Sequence, residues 1–592
     1  MTDCFAAPCV EACPAAQQAP AYMKALAKGD AKKALSIVLA DNPLPFITGV
    51  LCDHQCMYVC ARLDYEGSVG IRDMKLACAR ATSIPVTAKP ALKGRGKTAV
   101  FGAGPAGLAC AHYLALEGYP VTLFDKAEGA GGIPAAVIPA FRISREDIAA
   151  DIERIRALGA EFSFSWSGKI DLKALKAQGY TSFVVATGAP IPRELPLTGS
   201  GIQVIDALEF LESAHHNSGY FAPGAPTLRS VAVAGGGNTA MDASRVASRL
   251  TGKPSVTILY RRTQAQMPAD LEEFEAALSD GVTYKELALP ESARPGSGSA
   301  PATLTIRHMN LGEADASGRR SPVPSEKTSE MPCDLIVAAV GETPDGALLS
   351  SLGVAMKRDG RPEADDETMA TAVPGVYVTG DARRGPSSII SAEADGRKAA
   401  YAILRGAGIE PNIEIIKPQE PDYEALSHRG DNLPRAKSDD PDFILKEAER
   451  CLSCGSACLR CVEVCPNRAN FAMPVAVDGV FKQAIQILHV DDFCNECGNC
   501  GFFCPYDGRP YEGKPTLFSS EAGLRSSGNA GFAFIGPRDK PNLLIRTDMG
   551  ADSPVRILSN ESWKAASSES PMISMAKTVL EMHPYLVYGG KA

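Results

Sequence analysis

The sequence predicts a multidomain α/β protein with cysteine-rich segments at both ends, and three observations predict it. Two glycine-rich turns, at Gly102 and Gly235, each follow a strand-like run and open a helix. Eighteen cysteines fall almost entirely into two packets at opposite ends of the chain. The 592 residues also exceed what one core supports, since single cores stop growing near ~250–300 residues.

Taken in order, residues 1–95 mix cysteines with short helical patterns such as Ala21–Leu26, and read as a helical domain. A basic, glycine-bearing hinge at Lys93–Lys97 follows. The first βαβ unit runs from strand Thr98–Phe101 through a helix ending at Leu116 to strand Val121–Phe124, within a domain part spanning 96–225. A second βαβ unit, Ser230–Tyr260, opens a domain at 226–340. Strand-like runs at Phe183–Ala186, Leu335–Val340 and Val376–Thr379 each end in a glycine-bearing turn, and 341–410 forms a further part. Pro290–Ser325, rich in Pro, Gly and Ser, reads as a hairpin or loop with little core. Polar, proline-rich 411–445 is a linker, 446–515 carries the second cysteine packet, and 516–592 is a tail with weak strand signals.

Composition narrows the class. Hydrophobic content of 45% and charged content of 22% are those of an ordinary globular protein. A net charge of −9 argues against a general nucleic-acid or anionic-membrane surface. The chain shows no basic segment leading into an apolar run and no ~18-residue apolar stretch, so neither a secretory signal nor a membrane span is expected, and the cytoplasm is the expected home. In such a chain, C-x2-C and C-x3-C units favour metal ligation over disulfides.

At the first glycine motif, Gly102, Gly104, Pro105, Ala106 and Gly107 spell G-x-G-x-x-G after a strand. Its glycines let backbone amides approach a pyrophosphate, which rests on the positive end of the helix. Asp125, followed by Lys126, ends the next strand, where a carboxylate accepts from a ribose 2′-hydroxyl. Gly129-x-Gly131-Gly132-Ile133-Pro134 lies close behind, and Gly380-Asp381 ends a late strand, a placement that suits a flavin's ribityl and pyrophosphate. FAD is assigned here.

The second motif, Gly235, Gly236, Gly237, Asn238, Thr239 and Ala240, is the G-x-G-x-x-A variant. Laid against the first unit, Tyr260 occupies the acidic position and Arg261 and Arg262 follow at once. Losing the carboxylate and gaining guanidiniums suits a 2′-phosphate, so NADP(H) is favoured over NAD(H). A pair of solvated arginines at a strand end is the alternative.

The near packet is Cys4-x4-Cys9-x3-Cys13-Pro14, then Cys52-x3-Cys56-x3-Cys60. The far packet is Cys451-x2-Cys454-x3-Cys458-x2-Cys461-x3-Cys465-Pro466, then Cys494-x2-Cys497-x2-Cys500-x3-Cys504-Pro505. The last run matches a complete ferredoxin spacing. In two-cluster ferredoxins the proline-adjacent cysteine serves the other cluster, which sets Cys465 with Cys494, Cys497 and Cys500, and Cys504 with Cys454, Cys458 and Cys461. Cys451 is left over and could replace Cys454. Paired C-x2-C also suits zinc, but two runs ending in Cys-Pro favour iron–sulfur. Cys110 and Cys333 read as core thiols. A hydride donor, a flavin and one-electron clusters together make an electron-transfer chain; the chemistry belongs to the cofactors, and no acid, base or nucleophile is singled out.

These residues resemble the glutamate synthase small subunit family, which includes the N-terminal half of dihydropyrimidine dehydrogenase and the large subunit of the bifurcating NADH-dependent ferredoxin:NADP oxidoreductase. The matching stretches are Cys9-x3-Cys13-Pro14, Gly102–Gly107, Gly131–Pro134 with Ile138–Arg142, Gly235–Asp242, Tyr260–Thr263 with Met267-Pro268, and Gly380-Asp381. The far packet and Gly508–Phe518 resemble the C-terminal part of selenate reductase flavoproteins. The resemblance implies a helical domain holding two [4Fe–4S] clusters, an NADPH domain inserted in the FAD domain, and a ferredoxin-like 2[4Fe–4S] domain after them, up to four clusters in all. It implies that Arg142 and Gly188 help hold FAD and that Thr239, Arg261 and Arg262 help hold NADPH. It implies a near cluster on Cys4, Cys9 and Cys60, and another on Cys13, Cys52 and Cys56.

The chain departs from the family where ligands are counted. Counting back from Cys4 by the family spacing puts the first cysteine on Met1. The Gln or Glu expected after Val69–Met74 is Lys75, and an ammonium is a poor iron ligand. Asp73 or Cys78 could substitute, or a partner chain, water or a three-iron cluster could complete the sites. The expected activity is that of an NADPH-linked diaphorase subunit serving a molybdenum or tungsten enzyme or a glutamate synthase large subunit. A self-sufficient or bifurcating NADPH:ferredoxin oxidoreductase, and a non-catalytic sensing or assembly protein, are the rivals.

Overall fold

The computed structural model describes residues 7–84, 86, 96–166, 170–297, 301–314, 318–412, 433–455, 458–475, 481, 483–566 and 570–588. The chain forms two compact units. One comprises Asn42–Asp53 and Pro85–Asn412; the other comprises Met1–Asp41, His54–Ile84 and Ile413–Ala592. The two cysteine packets therefore belong largely to one unit, where the sequence suggests separate domains. Cys52 is the exception and falls with the nucleotide folds.

The nucleotide unit holds two parallel five-stranded sheets. The first orders Val376–Val378, Tyr180–Val185, Lys97–Phe101, Val121–Phe124 and Glu161–Ser163. Its central strands end in buried apolar runs, Ala99–Phe101 and Phe183–Val185, as expected of a parallel sheet covered on both faces. Helix Pro105–Leu116 is buried on almost every side. Helix Ile389–Gly406 crosses it so closely that a Cβ on Gly396 would lie 2.1 Å from the Ala106 carbonyl, which returns the segment after 341 to the first fold. The second sheet orders Thr283–Glu286, Ser255–Tyr260, Ser230–Ala234, Leu335–Ala338 and Gln203–Asp206. Its edge strand begins at Gln203, so the inserted domain starts before residue 226. Asp206 accepts from the Leu208 and Glu209 amides and caps the helix that follows.

The stretch read as a hairpin or loop is an antiparallel arm, Ala288–Arg294, Thr303–Ala314 and Arg320–Pro332, joined by Thr198–Gly199, and it carries more core than expected. Ala288, Leu304 and Ile306 pack on Ala232, Leu259 and Ile336 of the second sheet. Alternation along Thr303–Met309 supplies that inner face.

In the cysteine-bearing unit, helices Ala19–Ala27, Ala31–Asp41 and Ile71–Ala81 carry the near packet's surroundings. The region read as a tail completes a six-stranded mixed sheet running from Asn470–Pro474 to Arg556–Leu558. Its core holds Phe532, Leu543, Ile545 and the buried Trp563, whose Nε1–H donates to the Pro541 carbonyl at 3.0 Å. No single helix among the described residues is long and apolar enough to cross a membrane.

Candidate functional site

The first glycine turn forms a backbone cradle. Helix Pro105–Leu116 starts at Gly104 with no side-chain cap, so its first-turn amides remain for a ligand. Gly102 has φ +105°, and a Cβ there would meet the Ala186 carbonyl at 2.3 Å. The second loop packs backbone to backbone against it: the Gly131 N–H donates to the Ala103 carbonyl at 2.8 Å, and a Cβ on Gly132 would lie 2.7 Å from the Gly104 Cα. Asp125 accepts from the Ala103 N–H at 2.6 Å and the Ala127 N–H at 2.9 Å, which pins the strand-end carboxylate to the loop. Gly380 lies against Ala106, placing Asp381 near the same helix start. Asp381 accepts from the Ser387 hydroxyl at 2.6 Å, and burial pushes its carboxyl up. Lys126 and Ile133 are exposed, and Gly188 has φ +71° with open space where a Cβ would stand. This donor set fits a dinucleotide such as FAD.

Arg142, implied by resemblance to hold flavin, has other partners in the structure. Its guanidinium donates to both Asp242 oxygens at 2.9 and 2.7 Å and pairs with Glu273 at 2.5 Å. Burial, then Glu273 acting against Arg142, leaves the Asp242 carboxyl raised to about 6. The residue ties the loop after Gly132 to the helices of the second fold.

At the second turn, helix Asn238–Ala247 likewise starts without a side-chain cap, and nothing lies within 4 Å of a Cβ on Gly237. Asn238 accepts from the Asp270 N–H at 2.8 Å, while Thr239 is half-buried at the helix start. The Tyr260 ring lies on Gly236, where a Cβ would come within 2.5 Å. Its hydroxyl donates to the Gln266 carbonyl at 2.9 Å and accepts from Arg319 at 3.2 Å. The Arg261 guanidinium is held below its usual range by partial burial and then by Arg262, with Arg319 and Arg193 adding to this and Tyr260 opposing it. Four guanidiniums thus share one neighbourhood, which fits a phosphomonoester dianion. Arg262 also donates to the Arg320 carbonyl at 2.9 Å. Arg193 and Arg319 escaped the sequence reading because each lies far along the chain from the motif.

The same unit holds a carboxylate group that no motif announces. Burial, then Asp206 and Asp381, raise the Glu342 carboxyl to about 7 against the opposing charge of Arg193.

Among the described residues of the cysteine-bearing unit are two cysteine-lined cavities. One is lined by Cys465, Cys494, Cys497 and Cys500, the set expected from ferredoxin spacing, with Asn470, His489 and Tyr511 beside them. The Ala469 N–H points to the Cys465 sulfur at 3.2 Å and the Glu496 N–H to the Cys494 sulfur at 3.3 Å, the kind of bond that tunes a cluster potential. The other cavity is lined by Cys9, Cys60, Cys451 and Cys454. Burial first, then the neighbouring Cys454, Cys451, Cys60 and Cys56, push the Cys9 thiol well up. Cys454, grouped by spacing with Cys458, Cys461 and Cys504, thus lines a cavity with two cysteines of the near packet. Cys4 lies outside the described residues.

Cys13 has an unforeseen neighbour, Gln17, whose Nε2 is 3.8 Å from the sulfur and whose Oε1 is buried without a hydrogen-bond partner. Of the two substitutes considered for the Lys75 position, Cys78 points its thiol to the Ala31 carbonyl at 3.6 Å, and burial raises it to about 12. Asp73 pairs with Arg72 at 3.7 Å. Lys75 itself is buried. Cys110 and Cys333 are buried thiols, as read from the sequence.

Comparison with known proteins agrees with this geometry. Residues 96–396 match the family model described as pyridine nucleotide-disulphide oxidoreductase, and residues 2–83 match that of dihydropyrimidine dehydrogenase domain II, 4Fe-4S cluster. The chain is 40% identical over 540 residues to YgfK of Escherichia coli, covering 90% of this chain and 51% of that one. It is 33% identical over 440 residues to the NADP(+)-dependent formate dehydrogenase subunit beta of Moorella thermoacetica, covering 69% and 61%. It is 35% identical over 331 residues to a Cereibacter sphaeroides protein assigned as a glutamate synthase [NADPH] small chain, covering 54% and 79%. The chain spans about half the length of YgfK. The glycine cradles and the arginine cluster thus sit within the matched residues 96–396, and the chain belongs to the pyridine nucleotide-disulphide oxidoreductase family, together with the glutamate synthase small chains.

Proposed function

We propose that this chain is the diaphorase subunit of a multisubunit oxidoreductase, drawing electrons from NADPH and delivering them singly to a catalytic partner. When bound, FAD supplies the exchange between hydride and single-electron chemistry, and the iron–sulfur clusters supply the one-electron carriers. The chain's own residues bind and orient. The uncapped helix starts at Gly104 and Gly237 hold the two pyrophosphates, and Asp125 with Asp381 orients the flavin's sugar chain. Arg261, Arg262, Arg319 and Arg193 select the phosphorylated coenzyme. The Arg142–Asp242–Glu273 bridge fixes the first fold against the second.

The observation that carries the reading is the co-occurrence, in one chain, of two uncapped glycine cradles and two four-cysteine cavities. Two relatives, the formate dehydrogenase subunit beta and the NADPH-Fe(3+) oxidoreductase subunit beta of Geobacter sulfurreducens, are subunits of larger enzymes by name, which supports a subunit role. Anaerobic purification with mass-spectrometric identification of co-eluting chains tests the partner. Titration with NADPH tests the electron-transfer chain: flavin and cluster absorbance should bleach together. A holoprotein whose flavin bleaches while its clusters stay oxidised would break the proposal, and reduction of ferredoxin by the isolated chain would favour a self-sufficient enzyme.

A further inference from the structure

Four thiols from opposite ends of the sequence line one cavity. Cys9 and Cys60 belong to the near packet, and Cys451 and Cys454 to the far one. Pro8, Pro20, Met23, Val69 and Leu452 supply the apolar remainder. Arg62, also in the lining, turns its guanidinium to Glu66 at 2.5 Å. We propose that this cavity is a [4Fe–4S] site ligated by Cys9, Cys60, Cys451 and Cys454, so that the far packet supplies the thiolates the near packet lacks. The assignment rests on the iron–sulfur reading of the N-terminal domain. It leaves Cys458, Cys461 and Cys504 as a separate set and gives Cys451 a ligand's role.

The donor chemistry supports it. Four sulfur ligands in an apolar shell, with no carboxylate or imidazole among the described lining residues, select iron–sulfur or zinc over harder ions. The meeting of the two packets is also built rather than incidental. Arg450, the residue before Cys451, has a side chain only 1% exposed. It donates to Glu66 at 3.2 Å, to the Ser68 carbonyl at 3.2 Å, to the Gly67 carbonyl, and to both oxygens of Glu447 at 3.0 Å. Glu447, fully buried, accepts from the Gly70 N–H at 2.8 Å. A buried ion pair adds little net stability compared with an apolar replacement, so its best-attested use is to fix registry. Here it sets the start of the far packet against Val69 and Cys60. On the far side of Cys454, Arg460 pairs with Asp64 at 2.6 Å and the Tyr65 hydroxyl donates to Glu463 at 3.0 Å. The segment 60–70 is thus gripped on both flanks of Cys451–Cys454.

The test uses anaerobically purified full-length protein and the variants Cys451→Ala, Cys454→Ala and Cys4→Ala. Iron and acid-labile sulfide are counted per FAD. The first two variants should each lose about four irons relative to the parent, whereas Cys4→Ala should keep them. Cys451→Asp should show a three-iron EPR signal after brief oxidation. Retained FAD content distinguishes a lost site from a lost fold. A readout without variants is mild oxidation of metal-depleted protein, which should yield disulfide-linked peptides joining Cys9 or Cys60 to Cys451 or Cys454. Full iron in Cys451→Ala with loss in Cys4→Ala would overturn the assignment, as would zinc in place of that iron, or cross-linked peptides confined to each packet. A parent devoid of iron would instead defeat the underlying iron–sulfur reading.

Discussion

Arg142 spans both oxygens of Asp242, at 2.9 and 2.7 Å, across 100 residues of sequence. Both side chains are almost fully buried, so breaking the pair leaves Asp242 facing Glu273 unscreened. Arg142→Met should destabilise the protein by about 3–5 kcal/mol in denaturant unfolding. The double variant Arg142→Met/Asp242→Leu should recover most of that loss, because an apolar pair of similar volume often replaces a buried ion pair without cost. A single variant that loses flavin without losing stability would show that the guanidinium serves FAD instead.

Coenzyme choice should follow the arginine cluster. Charged hydrogen bonds contribute about 1.5–3 kcal/mol each, which corresponds to roughly ten- to hundredfold in affinity. Arg261→Ala, Arg262→Ala and Arg319→Ala should therefore each raise the KM for NADPH by about that factor in a dye-reduction assay, with the KM for NADH nearly unchanged. An equal rise for both coenzymes would mean that the cluster does not read the 2′-phosphate.

Gly236 is held by the ring of Tyr260. A methyl group there would force that ring aside or push the turn toward the coenzyme. Gly236→Ala should cut NADPH affinity at least tenfold while FAD content stays at the parent's level. Gly237→Ala, which meets open space in the protein, should stay folded and lose affinity through contact with the coenzyme alone. Equilibrium binding monitored by flavin fluorescence, together with thermal unfolding, separates the two.

Acid should stabilise the nucleotide unit through Glu342. Its carboxyl titrates at about 7 in the folded protein against an ordinary 4.5, so the folded state holds a proton that the unfolded chain has released between those values. Unfolding free energy then falls as pH rises through that window, the reverse of a salt-bridged carboxylate. Glu342→Gln should lose this component: its Tm should decline less than the parent's between pH 5 and about 7.5. Parallel profiles would place the charge elsewhere.

Much of the strand–turn–helix geometry was legible in the sequence because its determinants are local. A glycine turn between strand and helix, and a residue at the next strand's end, lie within one βαβ unit, so Gly102–Gly107, Asp125, Gly235–Ala240 and Tyr260 could be placed by spacing alone. What was not legible depends on long-range approach. Arg319 sits in a glycine- and serine-rich stretch and reaches Tyr260 only through the antiparallel arm. Arg142 carries a flavin role by resemblance, yet Asp242 and Glu273 claim its guanidinium here. The stretch after 516 reads as a tail because its strands are short and the partners that bury Phe532 and Trp563 are distant in sequence. Cys451 stayed a spare residue for the same reason: no spacing rule reaches from position 9 to position 451.

That separation has a consequence for biogenesis. Cys9 and Cys60 leave the ribosome roughly four hundred residues ahead of Cys451, an interval of about 20–90 seconds at ordinary elongation rates. During it, the early thiols lack the part of their wall that Cys451, Leu452 and Cys454 supply, which leaves them open to oxidants and scavenged metals. Maturation factors that shield nascent sulfhydryls, or that load inorganic cofactors only after release, would suit this order of synthesis. Polypeptides halted before Cys451 should accumulate without the metal content of that cavity even when their nucleotide folds are sound.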